Sequence, residues 1–142
     1  THHTPSDPSL KFQIIDFKRP ISRFPHPMSS ALPRKPARYG TTIRVRPEHF
    51  AEYKRQHAAV WPEVLATITR CHIRNYSIYH RDSVLFAYFE YWGDDFAADM
   101  KRMAADPATR RWWALMEPMQ DPWPDRAPGE WWTRMEEVFH HD

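Results

Sequence analysis

From Tyr39 onward, apolar and polar positions fall into short segments punctuated by proline, glycine and aspartate. Thr41-Thr42-Ile43-Arg44-Val45 is a β-type run ended by Arg46-Pro47. Pro47-Glu48 places a proline and an acid in the first turn of a helix running to about Val60, and Pro62 restarts it through Arg70. Residues 73–79 alternate, with Ile73, Asn75, Ser77 and Tyr79 on one face and Arg74, Tyr76 and Ile78 on the other. After the polar turn His80-Arg81-Asp82-Ser83, a more apolar strand spans Val84 to Trp92, so the two form a hairpin. Gly93-Asp94-Asp95 supplies turn and N-cap chemistry for a helix over 96–105. Asp106-Pro107 caps another reaching about Met119, and the proline-rich stretch 120–129 reads as a loop. Residues 132–139 suit strand or helix locally. A strand is preferred because the order then becomes β-α-β-β-α-β, an α+β fold of ferredoxin-like arrangement.

A four-stranded sheet of this kind has one face covered by its helices. The other stays apolar, and two copies packed sheet to sheet would bury it. Leu85-Phe86-Ala87-Tyr88-Phe89-Glu90-Tyr91-Trp92 carries aromatic residues on both faces and suits that role. Residues 1–38 differ in kind. They hold half of the fourteen prolines and a charge balance of +5, against −3 for residues 39–142. That density forbids a useful helix and predicts an extended or irregular arm, with Leu10 to Phe17 as its one apolar patch. Basic charge favours an organelle-targeting peptide, whereas the prolines, Asp7 and Asp16 weigh against one. Residues 39–142 are expected to form the single folded domain.

The mildly acidic domain has no field to attract nucleic acid, and no apolar run approaches a membrane span. The single cysteine, Cys71, excludes an intramolecular disulfide and fits a reducing compartment, so a cytoplasmic location is expected. All seven tryptophans lie in the acidic part. Most such rings serve a core or a subunit interface, and a minority touch ligands.

Chemistry concentrates in Tyr53-Lys54-Arg55-Gln56-His57-Ala58-Ala59-Val60-Trp61-Pro62-Glu63. On a helix, Tyr53 and His57 project from one face at i and i+4, and Trp61 extends the stripe. A lone histidine is ordinarily a surface or core residue, and these neighbours weaken that reading. An imidazole, a hydroxyl and a flat aromatic surface are what a polyhydroxylated ring needs, and Arg111-Trp112-Trp113 offers a second aromatic platform.

Tyr-x3-His-x3-Trp-Pro-Glu, then Asn75-Tyr76-Ser77-Ile78-Tyr79, Arg111-Trp112-Trp113 and the closing Glu136-Glu137-Val138-Phe139 together resemble the L-rhamnose mutarotase family. The likeness runs in order from about Tyr39 to Asp142. It implies a homodimeric α/β barrel that interconverts the anomers of a reducing sugar without a cofactor. By residue, it implies His57 as the acid/base and Tyr53, Tyr76, Trp112 and Trp113 as substrate contacts. One departure stands beside the site: Ala58-Ala59 follows His57 where bacterial members carry Asn-Pro.

The residue chemistry agrees with that reaction. Opening a pyranose ring requires a proton on the ring oxygen and its removal from the anomeric hydroxyl, and closure reverses both. Imidazole is the side chain whose unperturbed pKa lies near neutrality. The expected activity is therefore an aldose mutarotase acting on L-rhamnose or a related 6-deoxy sugar. The alternatives are a non-catalytic monosaccharide-binding module, and a cofactor-free monooxygenase or haem-binding protein on the same dimeric barrel. The face on which Tyr76 lies is left open by alternation alone. Trp112 and Trp113 stand about 100° apart on a helix, which supports one as a contact more strongly than the other. Trp131-Trp132 reads as packing or subunit contact, with closure of the pocket as the alternative, and Glu90 is a possible second acid/base group. His2, His3, His49, His140 and His141 lack partners at ligand spacing, so no metal is expected.

Overall fold

The computed structural model describes residues 34–142. The apolar patch Leu10 to Phe17 and most of the proline-rich arm lie outside them. The first strand, β1 (Ala37–Val45), begins earlier than its β-type run implied. Thr41, Ile43 and Val45 are buried along one of its faces, and Gly40 stands on the other opposite Tyr88 and Met135. A 3-10 turn, Pro47–His49, leads into α1 (Phe50–His57). This helix is shorter than expected for a local reason. Trp61 precedes Pro62, whose ring disfavours helical geometry in the residue before it, and Trp61 is extended at ψ 134°. Pro62 then opens α2 (Pro62–Arg70) at its first position.

The hairpin joins β2 (Ile73–Arg81) to β3 (Val84–Tyr91). Its turn residues Asp82 and Ser83 both have positive φ, at 49° and 62°, as a tight two-residue hairpin turn requires. Helices α3 (Phe96–Ala105) and α4 (Pro107–Met116) follow. The Asp95 carboxylate accepts from the Ala98 amide at 3.1 Å and that of Asp106 from the Thr109 amide at 2.9 Å, so both N-caps are made as the sequence suggested. A second 3-10 turn, Glu117–Met119, ends at β4 (Gln120–Asp121), and β5 (Thr133–Met135) closes the fold.

The sheet is wholly antiparallel, in the order β2-β3-β1, with β4 and β5 sharing the far side of β1. The last strand is a correction to the sequence reading. Three residues pair with Gly40, Thr41 and Thr42, rather than the eight from Trp132 to Phe139. The stretch 120–129 is not all loop either, since Gln120 and Asp121 pair with Val45 and Arg44. The four prolines between residues 117 and 129 explain the division, because a proline gives no amide to a ladder and breaks the edge into short pieces.

A second departure lies in β2. Arg74 pairs with Glu90 but Ser77 with Tyr88, so one extra residue is accommodated between them. Asn75, at φ 50°, takes the left-handed conformation there and donates from its amide to Glu90 at 2.8 Å. The bulge reverses the alternation. Ile73 and Ile78 pair with the buried Tyr91 and Ala87, while Ser77 and Tyr79 share the opposite face with Tyr88 and Phe86.

All four helices cover the face bearing Ile43, Leu85, Ala87 and Phe89, and two clusters fill the space. One centres on Ile43, Val45, Tyr53, Val64, Leu85, Trp112, Met116 and Trp132. The other joins Cys71, Ile73, Phe89, Tyr91, Met100 and Met103. Ile68, Tyr76 and Trp113 pack against both. Each large apolar side chain buried here contributes about 1.5–3 kcal/mol. A polar knot pins the second cluster. The buried Asp99 carboxylate accepts from the Tyr91 hydroxyl at 2.6 Å, His72 Nδ1 at 2.9 Å and the Arg102 guanidinium at 3.0 Å. Burial disfavours its charge, but these bonds, with the His72 and Arg102 charges, outweigh burial and hold its carboxyl below the usual aspartate range. The other sheet face leaves Phe86, Tyr79 and Met135 exposed, and Val138 and Phe139 beyond it are more exposed still.

Candidate active site

Between α1, α2, α4 and the helix-covered face of the sheet lies a cavity of about 310 Å³, bordered by Tyr53, His57, Tyr76, Trp112 and Trp113. Pockets that take small molecules have roughly this size or more, up to about 1,000 Å³. Apolar walls come from Val60, Val64, Ile68, Ile78, Met103 and Met116. The five residues singled out in the sequence thus converge on one space from three elements.

His57 occupies the last turn of α1. Its Nδ1 lies 2.8 Å from the Tyr53 carbonyl. A carbonyl only accepts, so Nδ1 carries the proton and Nε2 of the neutral ring is the basic atom. The ring is held on two sides. The Tyr53 ring lies 4.2 Å away and the Trp112 ring meets it edge-on at 5.3 Å. Burial pushes the imidazole pKa below its ordinary value, and the bond to the Tyr53 carbonyl opposes that only in part. A neutral imidazole in a largely apolar pocket is poised to take a proton.

Trp112 is buried and also meets Trp61 edge-on at 5.3 Å, so Trp61, which lies past the end of α1 and outside the cavity wall, joins Tyr53 and His57 through Trp112 rather than as a further turn of their helical stripe. Trp113, one residue on, borders the cavity too. The two core clusters meet beside α4, and Trp113 packs against both while Trp112 belongs to the first. Two rings about 100° apart can therefore line one space.

The bulge at Asn75 settles the face of Tyr76. It lies on the helix-covered side, with its ring edge-on to Phe89 at 5.7 Å. Burial pushes its phenol up to about 12 and raises that of Tyr53 further. Both are neutral phenols at physiological pH.

Two residues enter the site that the sequence reading had placed elsewhere. Gln120, read as loop, is buried at 3% exposure and borders the cavity. Its Nε2 donates to the Tyr53 hydroxyl at 3.2 Å, and its Oε1 accepts from the Trp131 indole at 2.8 Å. Trp132, read as packing with pocket closure as the alternative, borders the cavity as well. The only sequence signal for either was proximity to a proline-rich segment, which carries no register. Glu90 is on the other face, where it accepts from Asn75 at 2.8 Å and from the Trp92 indole at 3.1 Å. It is not part of the cavity wall. Ala58 and Ala59 form the turn that closes α1, their amides bonded to carbonyls of Lys54, Arg55 and Gln56.

A small α+β domain with an aromatic pocket built around one neutral histidine is thereby defined. The sequence model of the L-rhamnose mutarotase family matches residues 38–141. The L-rhamnose mutarotase of Ligilactobacillus salivarius is 34% identical over 110 residues, covering 74% of this chain and 97% of that protein. That of Bacteroides thetaiotaomicron is 31% identical over 100 residues, covering 69% and 91%. The crystal structure of L-rhamnose mutarotase from Formosa agariphila shares the fold, with a TM-score of 0.59 at 24% identity over 75% of this chain and 99% of that one. The chain belongs to the L-rhamnose mutarotase family, and mutarotases are isomerases.

Proposed function

We propose that this protein interconverts the α and β anomers of L-rhamnose or a closely related 6-deoxy sugar, with His57 as the general acid/base. The observation that carries the reading is the single cavity bordered by His57, Tyr53, Tyr76, Trp112 and Trp113. In the proposed cycle, His57 Nε2 removes the proton of the anomeric hydroxyl as the bond between C1 and the ring oxygen breaks. The same imidazolium protonates the departing ring oxygen, which until then shared C1 with that hydroxyl and is left as the hydroxyl on C5. Rotation about the C1–C2 bond presents the other face of the aldehyde. Reclosure then returns a proton from the sugar hydroxyl through Nε2 to the carbonyl oxygen. General acid/base assistance of this kind is worth roughly 10²- to 10⁴-fold, ample for a reaction that proceeds unaided in water. Tyr53 and Tyr76 hold sugar hydroxyls, and Trp112 and Trp113 form the stacking wall. The methyl of a 6-deoxy sugar suits the apolar side formed by Val64, Ile68 and Met116.

The order of strands and helices supports a ferredoxin-like domain whose open face packs against a second copy. Phe86, Tyr79 and Met135, exposed on that face, are the apolar surface such a homodimer would cover. The proposed setting is the cytoplasm, in keeping with a single cysteine that is buried.

Proton NMR saturation transfer between the two anomeric signals of L-rhamnose tests the reading, with L-fucose and D-glucose as comparators. Acceleration that disappears in His57→Ala, in a protein shown to be folded, is the expected result. Binding of the sugar without any acceleration would replace catalysis by simple recognition.

A further inference from the structure

The chain of bonds Trp131–Gln120–Tyr53 has a direction, and the direction follows from chemistry. An indole N–H donates and never accepts. With Trp131 Nε1 at 2.8 Å from Oε1 of Gln120, the opposite setting of that amide would put two donors against each other. The amide is therefore locked, and its Nε2 faces the Tyr53 hydroxyl at 3.2 Å. At that contact the phenol oxygen accepts. Its own proton must point elsewhere, and among the described residues Gln120 is the hydrogen-bond partner of this hydroxyl. Tyr53 and Gln120 are each 3% exposed, and both border the cavity.

We infer that Gln120 is a positioning residue which, held by Trp131, makes the Tyr53 hydroxyl a donor toward the sugar, so that Tyr53 recognises a substrate oxygen through its lone pair. The inference rests on the proposed sugar site and deepens it by assigning polarity to one contact. Nothing in the residue types alone carries that polarity, since a phenol and a carboxamide can each donate or accept. The lock comes from the third member, on the loop leading into β5. The arrangement also has a selective consequence. A sugar that offers only a C–H at the position facing Tyr53 leaves a buried phenol proton unpaired, and it is rejected for that reason.

The test compares wild type with Gln120→Glu, Gln120→Leu and Trp131→Phe, using anomer exchange of L-rhamnose as a function of sugar concentration and pH. A carboxylate at position 120 accepts from both Trp131 and Tyr53 and withdraws the phenol proton from the pocket. KM for Q120E is expected to rise about tenfold where the new carboxyl is ionised, with a smaller change in kcat. As the pH falls and that carboxyl gains a proton, it donates to Tyr53 again and KM returns toward the wild-type value. Q120L and W131F are expected to raise KM at every pH. Adding Tyr53→Phe to Q120E is expected to cost almost nothing more, because the proton it removes is already engaged.

A wild-type KM in Q120E and W131F, a defect in Q120E with no pH dependence, or full additivity with Tyr53→Phe would each overturn the inference. Thermal melts of every variant identify any that fails to fold, and W131F, which keeps most of the ring volume, carries the test if Q120E is lost. Should the wild type accelerate no sugar, the mutarotase reading itself falls. The pH dependence of L-rhamnose binding by calorimetry in wild type and Q120E then decides the polarity of Tyr53 separately.

Discussion

The backbone carbonyl of Tyr53 accepts a 2.8 Å hydrogen bond from Nδ1 of His57, one helical turn further along. One helix thus supplies both a candidate base and the acceptor that fixes its tautomer. The remaining ring nitrogen is the only one able to exchange protons with a ligand. The predictions below begin from this pair and move outward.

Exchange activity should depend on the neutral imidazole. Burial places its pKa below the ordinary value of about 6.5, so activity is expected to persist as the pH falls past that value and to decline only further down. Stability follows the same sign. Below about pH 6.5 the unfolded chain binds more protons at this histidine than the folded one, so its contribution is present above that pH and lost on acidification. His57→Gln is expected to abolish acceleration and to flatten the acid limb of a denaturation series. An unchanged rate in H57Q would remove His57 from the reaction.

Trp112 and Trp113 should separate on the stability axis. Trp112 is 6% exposed and braces both His57 and Trp61, so Trp112→Ala is expected to cost about 3–5 kcal/mol. Trp113 is only partly buried, and W113A should lower the melting temperature less while still raising KM. Thermal melts paired with exchange kinetics check this, and equal losses of stability would contradict it.

The knot at Asp99 carries its own pH signature. Its carboxyl is held below the usual aspartate value, so the stabilisation is complete above about pH 3.9 and disappears as the pH falls through the folded-state value. Asp99→Ala leaves the buried Tyr91 hydroxyl short of its acceptor and is expected to cost about 1–3 kcal/mol at neutral pH. Gly93→Ala should imitate part of that loss from the outside. A Cβ there would overlap the Tyr91 hydroxyl oxygen, which would have to leave both Asp99 and the Asp95 amide. Urea titrations at pH 7 and near pH 3 measure both effects.

The exposed sheet face gives a prediction about assembly. Phe86 and Tyr79 are cross-strand partners at 40% and 67% exposure. If two copies pack through this face, Phe86→Glu inserts a charge where charges are costly. Sedimentation velocity is expected to show a dimer for the wild type and a monomer for F86E, with the melting temperature of the fold little changed.

Helix starts were legible because their causes are local. Asp95, Pro62, Asp106 and Pro107 act within one turn, and each sits where the sequence put it. The i, i+4 relation of Tyr53 to His57 needed only helical geometry, and it survives intact. What sequence could not give was register across distance. Gln120 enters the site because Gln120–Asp121 pairs with Arg44–Val45 far upstream, and no periodicity reports such a pairing. The end of β5 is likewise a matter of pairing: it stops at Met135 opposite Gly40 although β1 runs on to Ala37. Trp113 joins the cavity because two core clusters meet beside α4, a property of the assembled fold.

The bulge at Asn75 makes membership of the pocket more than a matter of counting. Tyr76 shares His57's side of the sheet with Ile73 because the bulge takes up the one residue more that stands between Arg74 and Ser77 than between Glu90 and Tyr88. Deleting Asn75 would leave Ile73-Arg74-Tyr76-Ser77-Ile78 matched one to one with Tyr91 to Ala87, with Ile73 and Tyr76 still on the helix-covered face, whereas straightening the strand with Asn75 in place would force one of the two to change sides. In this family member the bulge thus fits a nine-residue strand to an eight-residue partner, and the side that a candidate site residue takes is set by local backbone geometry as much as by alternation.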